Sequence, residues 1–170
     1  MELFAALEQM SAAYSASDTR ARLGEDWAGI GFRLGMHRFL ASQKEVIEVL
    51  APPEATRVPG APPWVRGLAN FRGQVLPLYD LGHLLMDNPT PAQSRNRYLI
   101  LRGQSNPAAF LVDAVSGLRR YSRAQIQPPT VRGLPAALHS YIRGSFSDGA
   151  DRRPVLSLSA IRDERLRGQV

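Results

Sequence analysis

Residues 64–81 read WVRGLANFRGQVLPLYDL, two apolar runs either side of the step Asn70-Phe71-Arg72-Gly73. Apolar runs bounded by turn residues read as strands, so the chain reverses at this step and leaves an arginine at a hairpin tip. Pro77 has no N–H to give a ladder, which predicts that the second strand is an edge strand or is bulged there.

The same reading extends outward in both directions. Residues 30–50, IGFRLGMHRFLASQKEVIEVL, predict two strands around a turn at Gly35-Met36-His37-Arg38, with Ile30, Phe32 and Leu34 on one face. APPEATRVPGAPPW (51–64) holds five prolines and is expected to be an extended surface connection. LGHLLMDNP predicts a short helical turn stopped by Asn88-Pro89. RNRYLILRG, PAAFLVDAV and GLRRYS predict three more strands, the first two linked through Gly103-Gln104-Ser105-Asn106. Beyond the proline-punctuated IQPPTVRGLPAAL, the runs YIRGSFS and RPVLSLS form a hairpin across Asp148-Gly149-Ala150-Asp151. SAIRDERLRG closes the chain as a short helix with Ser159 as its expected N-cap. Upstream, Leu3, Leu7, Met10 and Tyr14 form a helical stripe, followed by the polar SASDTRARLGED.

About nine short strands with turns between them favour barrels or sandwiches over a parallel α/β fold. The 170 residues suffice for one ordinary domain or for two small subdomains sharing a core. No cysteine is present, so disulfides and thiolate metal sites are excluded. The N-terminus lacks a secretory pattern, and no run approaches the roughly 20 apolar residues of a membrane span, which predicts a cytoplasmic protein. Net charge is +6, yet Lys44 is the sole lysine and the arginines are scattered through separate segments, which argues against a nucleic-acid footprint.

The residues that carry chemistry are dispersed. His37, His83 and His139 have no partner at metal-ligand spacing. Neither a nucleophile elbow nor a phosphate-cradling glycine loop is present, and the run from Gly144 to Gly149 reads as turn chemistry. Glu45, Glu48, Asp80 and Asp113 sit at strand positions without paired spacing. Strand alternation predicts a solvent-facing Asp113, since an inward carboxylate would need hydrogen bonds to offset desolvation. No cofactor or metal is expected. A site built from Asp80, Asp113 and a histidine is the weakest of the readings, and the chain reads as one built for binding.

The run from Val65 to Leu81 resembles the signature of CheW-like domains, roughly I-x-G-V-x-N-L-R-G-x-V-x-P-V-x-D-L, with a dozen positions in register. FRLGMHRFLASQKEVIEVL is similar to that family's opening strands ending in V-x-E-I, and AAFLVDAVSGL to a later strand. YIRGSFSDGADRRPVLSLSAI is similar to the family's end, with Ser157 where an acidic residue or asparagine is usual. The resemblance covers about residues 29–162 and, in the tryptophan before the first strand and the helical extension, leans to adaptors of the twitching-motility branch.

The resemblance implies a mostly β fold of two packed SH3-like five-stranded β-barrel subdomains over residues 27–162. Residues 1–26 would be an N-terminal helical extension and linker, and 163–170 a tail behind a short C-terminal helix. It also implies no catalysis and two partners, the CheW-like regulatory domain of a CheA-type histidine kinase and the cytoplasmic tip of a methyl-accepting chemoreceptor. Membrane association would be indirect, through receptors, and the output would be type IV pilus twitching motility. Val46, Glu48, Arg66, Gly67, Arg72 and Gly73 match the family's partner-binding positions. The alternative is a nucleic-acid-binding barrel of the OB type, which needs exposed aromatics on a basic face; Phe71, Phe110 and Tyr98 lie in apolar runs and read as buried.

Overall fold

The computed structural model describes residues 26–103 and 105–167. The stripe Leu3, Leu7, Met10 and Tyr14 lies outside the described residues, as does Gln104 of the expected turn. The described chain is mostly β: ten strands in two five-stranded sheets, with two short α-helices and two 3-10 helices. It starts in the first sheet with β1 (Asp26–Leu34) and β2 (His37–Ser42), then crosses to the second. There it lays down β3 (Val46–Leu50), β4 (Val65–Phe71), β5 (Gln74–Asp80), helix α1 (Leu81–Met86), β6 (Arg97–Leu101) and β7 (Ala109–Val112). It returns to the first sheet for β8 (Ala114–Ser122), β9 (Ile142–Asp148) and β10 (Asp151–Leu156), and ends in helix α2 (Leu158–Arg165). The strand orders are β8-β1-β2-β10-β9 and β3-β6-β7-β5-β4, antiparallel except for the pairs β2–β10 and β5–β7.

Period-2 alternation explains how two sheets share one interior. In β6, Leu99 and Leu101 face a large core common to both sheets, while Tyr98 and Ile100 face a smaller core of the second sheet alone. β7 divides likewise, with Phe110 and Val112 on one side and Ala109 and Leu111 on the other. Both faces are buried, so these strands read as unbroken apolar runs. In β2, Phe39 and Ala41 enter the shared core, and Leu40 joins Phe146 and Val155 in a third cluster covered by Trp27 and Tyr121.

Five expectations change. QKEVIEVL does not continue the β1–β2 hairpin: β3 is a separate strand of the other sheet, paired with β6. Pro77 is not on an edge strand, because β5 lies between β4 and β7. It is tolerated because Leu68 opposite uses its backbone N–H and C=O on Thr56 in the preceding loop, both at 2.8 Å. Leu68–Pro77 is therefore a non-hydrogen-bonded pair, and on its other side Pro77 precedes the pairing of β5 with β7, which begins at Leu78, so the missing N–H breaks no ladder bond. Asp113 is 6% exposed rather than solvent-facing, and its Oδ2 accepts a hydrogen bond from the Gly35 N–H at 2.7 Å. It marks the point where the chain returns to the first sheet, and tying it to the β1–β2 turn satisfies the buried carboxylate.

The N-cap of α2 is Ser157, whose Oγ accepts from the Ala160 N–H at 3.3 Å, rather than Ser159. Glu45, at the other crossing between sheets, accepts from Ser157 Oγ (3.0 Å), the Leu158 N–H (3.1 Å) and Ser159 Oγ. One carboxylate thus closes the start of the last helix across more than a hundred residues of sequence. Leu158, Ile161 and Leu166 of this segment are buried in the shared core, so the folded body runs past the expected boundary at residue 162. Glu45→Gln keeps the shape but weakens charge-assisted bonds at a helix start, and is expected to cost about 1–2 kcal/mol. Urea denaturation with unchanged m, and faster amide exchange confined to α2, are the expected readouts. A loss spread evenly over all amides would refute the local role.

Candidate functional site

The hairpin that opened the sequence reading turns on two residues with positive φ, Arg72 at 51° and Gly73 at 79°. Positive φ at both central positions matches the right-handed twist of the flanking strands and normally selects Asn-Gly or Gly-Gly. An arginine there costs roughly 1–2 kcal/mol relative to a residue at home in that region. The turn is closed by Asn70, whose Oδ1 accepts from the Gly73 N–H at 3.0 Å.

Arg72 extends back over its own sheet. Its guanidinium lies 4.8 Å from the Phe71 ring centroid, and Nη2 donates to Glu48 Oε2 at 2.8 Å. Glu48 is on β3 and Arg72 is at the tip of β4, the two opposite edges of the second sheet. The sheet therefore curls until its edges meet through this pair. The first sheet repeats the arrangement: Arg119 of β8 donates to Asp148 of β9 at 3.2 Å, and the Tyr121 and Phe146 rings stack at 4.5 Å between the same edge strands. The Arg72 side chain remains 72% exposed and Glu48 32% exposed, so the pair contributes little to stability and is available for exchange.

Beside the pair runs a groove of roughly 320 Å³ lined by Ile47, Phe71, Arg72, Val75 and Arg102 among others. Its apolar walls are unusually open, with Ile47 44% and Val75 64% exposed. An open apolar strip flanked by two arginines suits an amphipathic partner segment with acidic residues at its margin. Ile47, Val75 and Arg102 were not among the residues singled out from the sequence. Alternation signals the first two, since Val46 and Leu76 point inward and their neighbours must point out.

The remaining expected site residues fall into three places. Val46 is 4% exposed and packs in the shared core, so its side chain offers no surface to a partner. Arg66 is exposed and sits at a β4 bulge between Val65 and Gly67. It lies against Tyr98, whose hydroxyl burial pushes above the usual tyrosine range while Arg66 pulls it back. Gly67 has φ +137°, and a Cβ there would meet the Thr56 carbonyl oxygen at 2.6 Å. That close approach is what lets the 51–64 loop bridge to Leu68. Gly67→Ala is expected to destabilise the fold by about 2 kcal/mol, through strain and loss of the bridge. A urea midpoint equal to that of the parent would show that the loop moves aside at no cost.

The chemistry-bearing residues do not converge. Among the described residues no group of three or more His, Asp or Glu could hold a metal ion. Asp80 is wholly buried and engaged with the His83 N–H and Thr90. His139 contacts the Leu134 carbonyl at 2.8 Å. Phe110 and Tyr98 are buried, and Phe71 is half-buried under Arg72, which leaves no aromatic stacking platform of these three. Among the described residues no helix is long and apolar enough to cross a membrane.

Comparison with known proteins gives the family and the fold. Residues 28–164 match the family described as CheW-like domain. The chain is 38% identical over 125 residues to Protein PilI of Pseudomonas aeruginosa, covering 72% of this chain and 68% of that protein. It is 35% identical over 108 residues to Protein FrzA of Myxococcus xanthus, covering 64% and 68% respectively. The scaffolding protein TtCheW from Thermoanaerobacter tengcongensis has a similar fold, with a TM-score of 0.67 at 20% identity over 78% of this chain and 89% of that one.

Proposed function

The chain belongs to the CheW-like domain family, and from that premise we propose that it is a non-catalytic chemosensory adaptor. It would couple methyl-accepting chemoreceptors to a CheA-type histidine kinase, with type IV pilus twitching motility as the output. The observation that carries this reading is the exposed Arg72–Glu48 pair beside the Ile47–Val75 groove. It sits on the hairpin whose sequence bears the family signature, and its turn keeps a conformationally costly arginine where asparagine would fit better. Similarity to PilI, together with relatives named FrzA and chemotaxis protein CheW, supports the signalling role and the twitching branch.

In this reading each curled five-stranded sheet is one SH3-like barrel, and residues 27–162 with the rest of α2 form the adaptor body. The residues before β1 are an extension to it, and the protein works in the cytoplasm on receptor arrays. Glu48, Arg66, Gly67, Arg72 and Gly73 belong to the partner-binding surface, the glycines by shaping its backbone. The test is co-sedimentation of the purified protein with a receptor cytoplasmic fragment and a CheA-type kinase from the same cell. A ternary assembly is expected; failure to bind either partner would end the adaptor reading.

A further inference from the structure

The first sheet carries a second charged surface, remote in the strand order from the Arg72 groove. Around the β1–β2 turn and the start of β10 lies a concavity of about 640 Å³ whose lining includes Met36, Arg38, Arg132, Leu134, Arg152 and Arg153. An adjoining hollow of about 280 Å³ shares Arg38 and Arg153 and adds Arg33 and Arg119. Six arginines thus face one continuous surface, together with His37 of the first hollow.

The acids available to balance them are few. Asp148 Oδ2 is shared between Arg119 Nη1 at 3.2 Å and Arg153 Nε at 3.4 Å. Asp151 stands 3.7 Å from Arg38, both side chains more than half exposed, a pairing worth little in water. Six arginines less Asp148, Asp151 and Asp113, the last buried against the β1–β2 turn, leave +3 with His37 neutral. Arg153 is 7% exposed, and its Nε makes no hydrogen bond, so a buried guanidinium with half a carboxylate backs the surface. Arg132 and Arg152 are exposed and have neither an ion pair nor a side-chain hydrogen bond among the described residues.

Two further features narrow the ligand. Met36 is 87% exposed at the rim, and Leu134 and Pro154 line the same hollow, so an apolar side chain can seat beside the arginines. Phe32 lines the smaller hollow but is only 2% exposed, and no Phe, Tyr or Trp lines the larger one, which leaves nucleic-acid bases nothing to stack on. The arginines are spread over two hollows rather than focused on one point, a layout for several carboxylates and not for one small anion.

We propose that this face binds an acidic segment of a partner protein, carrying carboxylates for Arg132, Arg152 and Arg38 and a large apolar side chain against Met36 and Leu134. It is a surface additional to the Arg72 groove and stands whether or not that groove binds kinase or receptor.

Fluorescence polarisation with a fluorescein-labelled peptide of glutamates interrupted by leucines tests it on the full chain. Arg132→Glu combined with Arg152→Glu is expected to weaken binding at least about tenfold, the loss of one strong charge-assisted contact. The charge-matched control, Arg57→Glu with Arg95→Glu, alters exposed arginines outside both hollows and is expected to change affinity less than about twofold. Should the double reversal fail to fold, Arg132→Gln alone is expected to weaken binding in the same direction. An equal loss in the control would reduce the effect to bulk charge and overturn the proposal. So would absence of peptide binding to the parent, or tighter binding of single-stranded DNA of the same charge.

Discussion

Asp80→Asn is expected to lower the free energy of unfolding by about 2–4 kcal/mol, the largest loss for any single polar change in the second sheet. Asp80 is wholly buried at the junction of β5 and α1. Its Oδ1 accepts from the His83 N–H at 3.2 Å and from Thr90 Oγ1 at 2.7 Å, and its Oδ2 accepts from the Thr90 N–H at 2.9 Å. One side chain therefore caps α1 and anchors the chain that returns past Asn88-Pro89. Asparagine has one acceptor oxygen, so its amide nitrogen must face either the His83 or the Thr90 backbone donor. That leaves a donor buried and unpaired, and removes charge from the bonds that remain.

The loss corresponds to a fall in Tm of roughly 5–15 °C for a chain of this size. Guanidinium denaturation of Asp80→Asn and Thr90→Val checks it, with Thr90→Val expected to cost less because the Thr90 N–H keeps its acceptor. A loss below about 0.5 kcal/mol for Asp80→Asn would mean the pocket rearranges freely, contrary to its full burial. Affinity for partners per folded molecule is expected to stay at the parent value, because Asp80 has no surface.

Asp80 also illustrates what was legible in the sequence. The signature run shows an aspartate closing a strand just before a helical turn, but its partner Thr90 comes after a proline and carries no periodic signal. Local pattern gave the strands: YLIL and AFLV are apolar throughout because both faces are buried, and Arg72-Gly73 separates two such runs. Long-range pairing did not show. Pro77 reads as an edge residue until Thr56, from a loop without regular structure, is found taking the bonds of Leu68. In SLSAI two serines compete to cap α2, and only Glu45 and the helix register reveal that Ser157 does so. The crossing of β3 to the other sheet is masked by Gln43-Lys44-Glu45, which looks like any hairpin turn.

The candidate site was half legible for the same reason. Arg72 and Glu48 could each be picked from the family resemblance, but they stand on opposite edges of a sheet and meet only because it curls. The resemblance places Val46 with them through the family's V-x-E pattern, and strict alternation would put it on one face with Glu48, but the register shift between the two turns Val46 into the core. Its neighbour Ile47 is the exposed one.

Replacing Arg72 separates stability from binding in a way that decides the main assignment. Arg72→Glu puts two carboxylates together at a tip whose side chain is 72% exposed, so solvent screens most of the repulsion from Glu48. The cost to folding is expected to stay within about 1 kcal/mol. At an interface the same reversal removes donors and sets like charge against an acidic partner, a loss of about 2–5 kcal/mol where the contact is desolvated. Affinity for kinase or receptor is then expected to fall roughly thirtyfold or more. Arg72→Asn sharpens the contrast. Asparagine suits positive φ ahead of Gly73, so the fold is expected to be as stable as the parent or up to about 1 kcal/mol more so. Yet it has no guanidinium to bridge carboxylates, and binding is expected to weaken with it. A variant that gains stability while losing its partner would identify the strained arginine as kept for recognition, the usual direction of trade at a functional surface. Isothermal titration beside urea denaturation measures both quantities on the same samples. If Arg72→Glu and Arg72→Asn bind both partners as the parent does, Arg72 is a solvated turn residue, and the recognition surface lies elsewhere on the molecule.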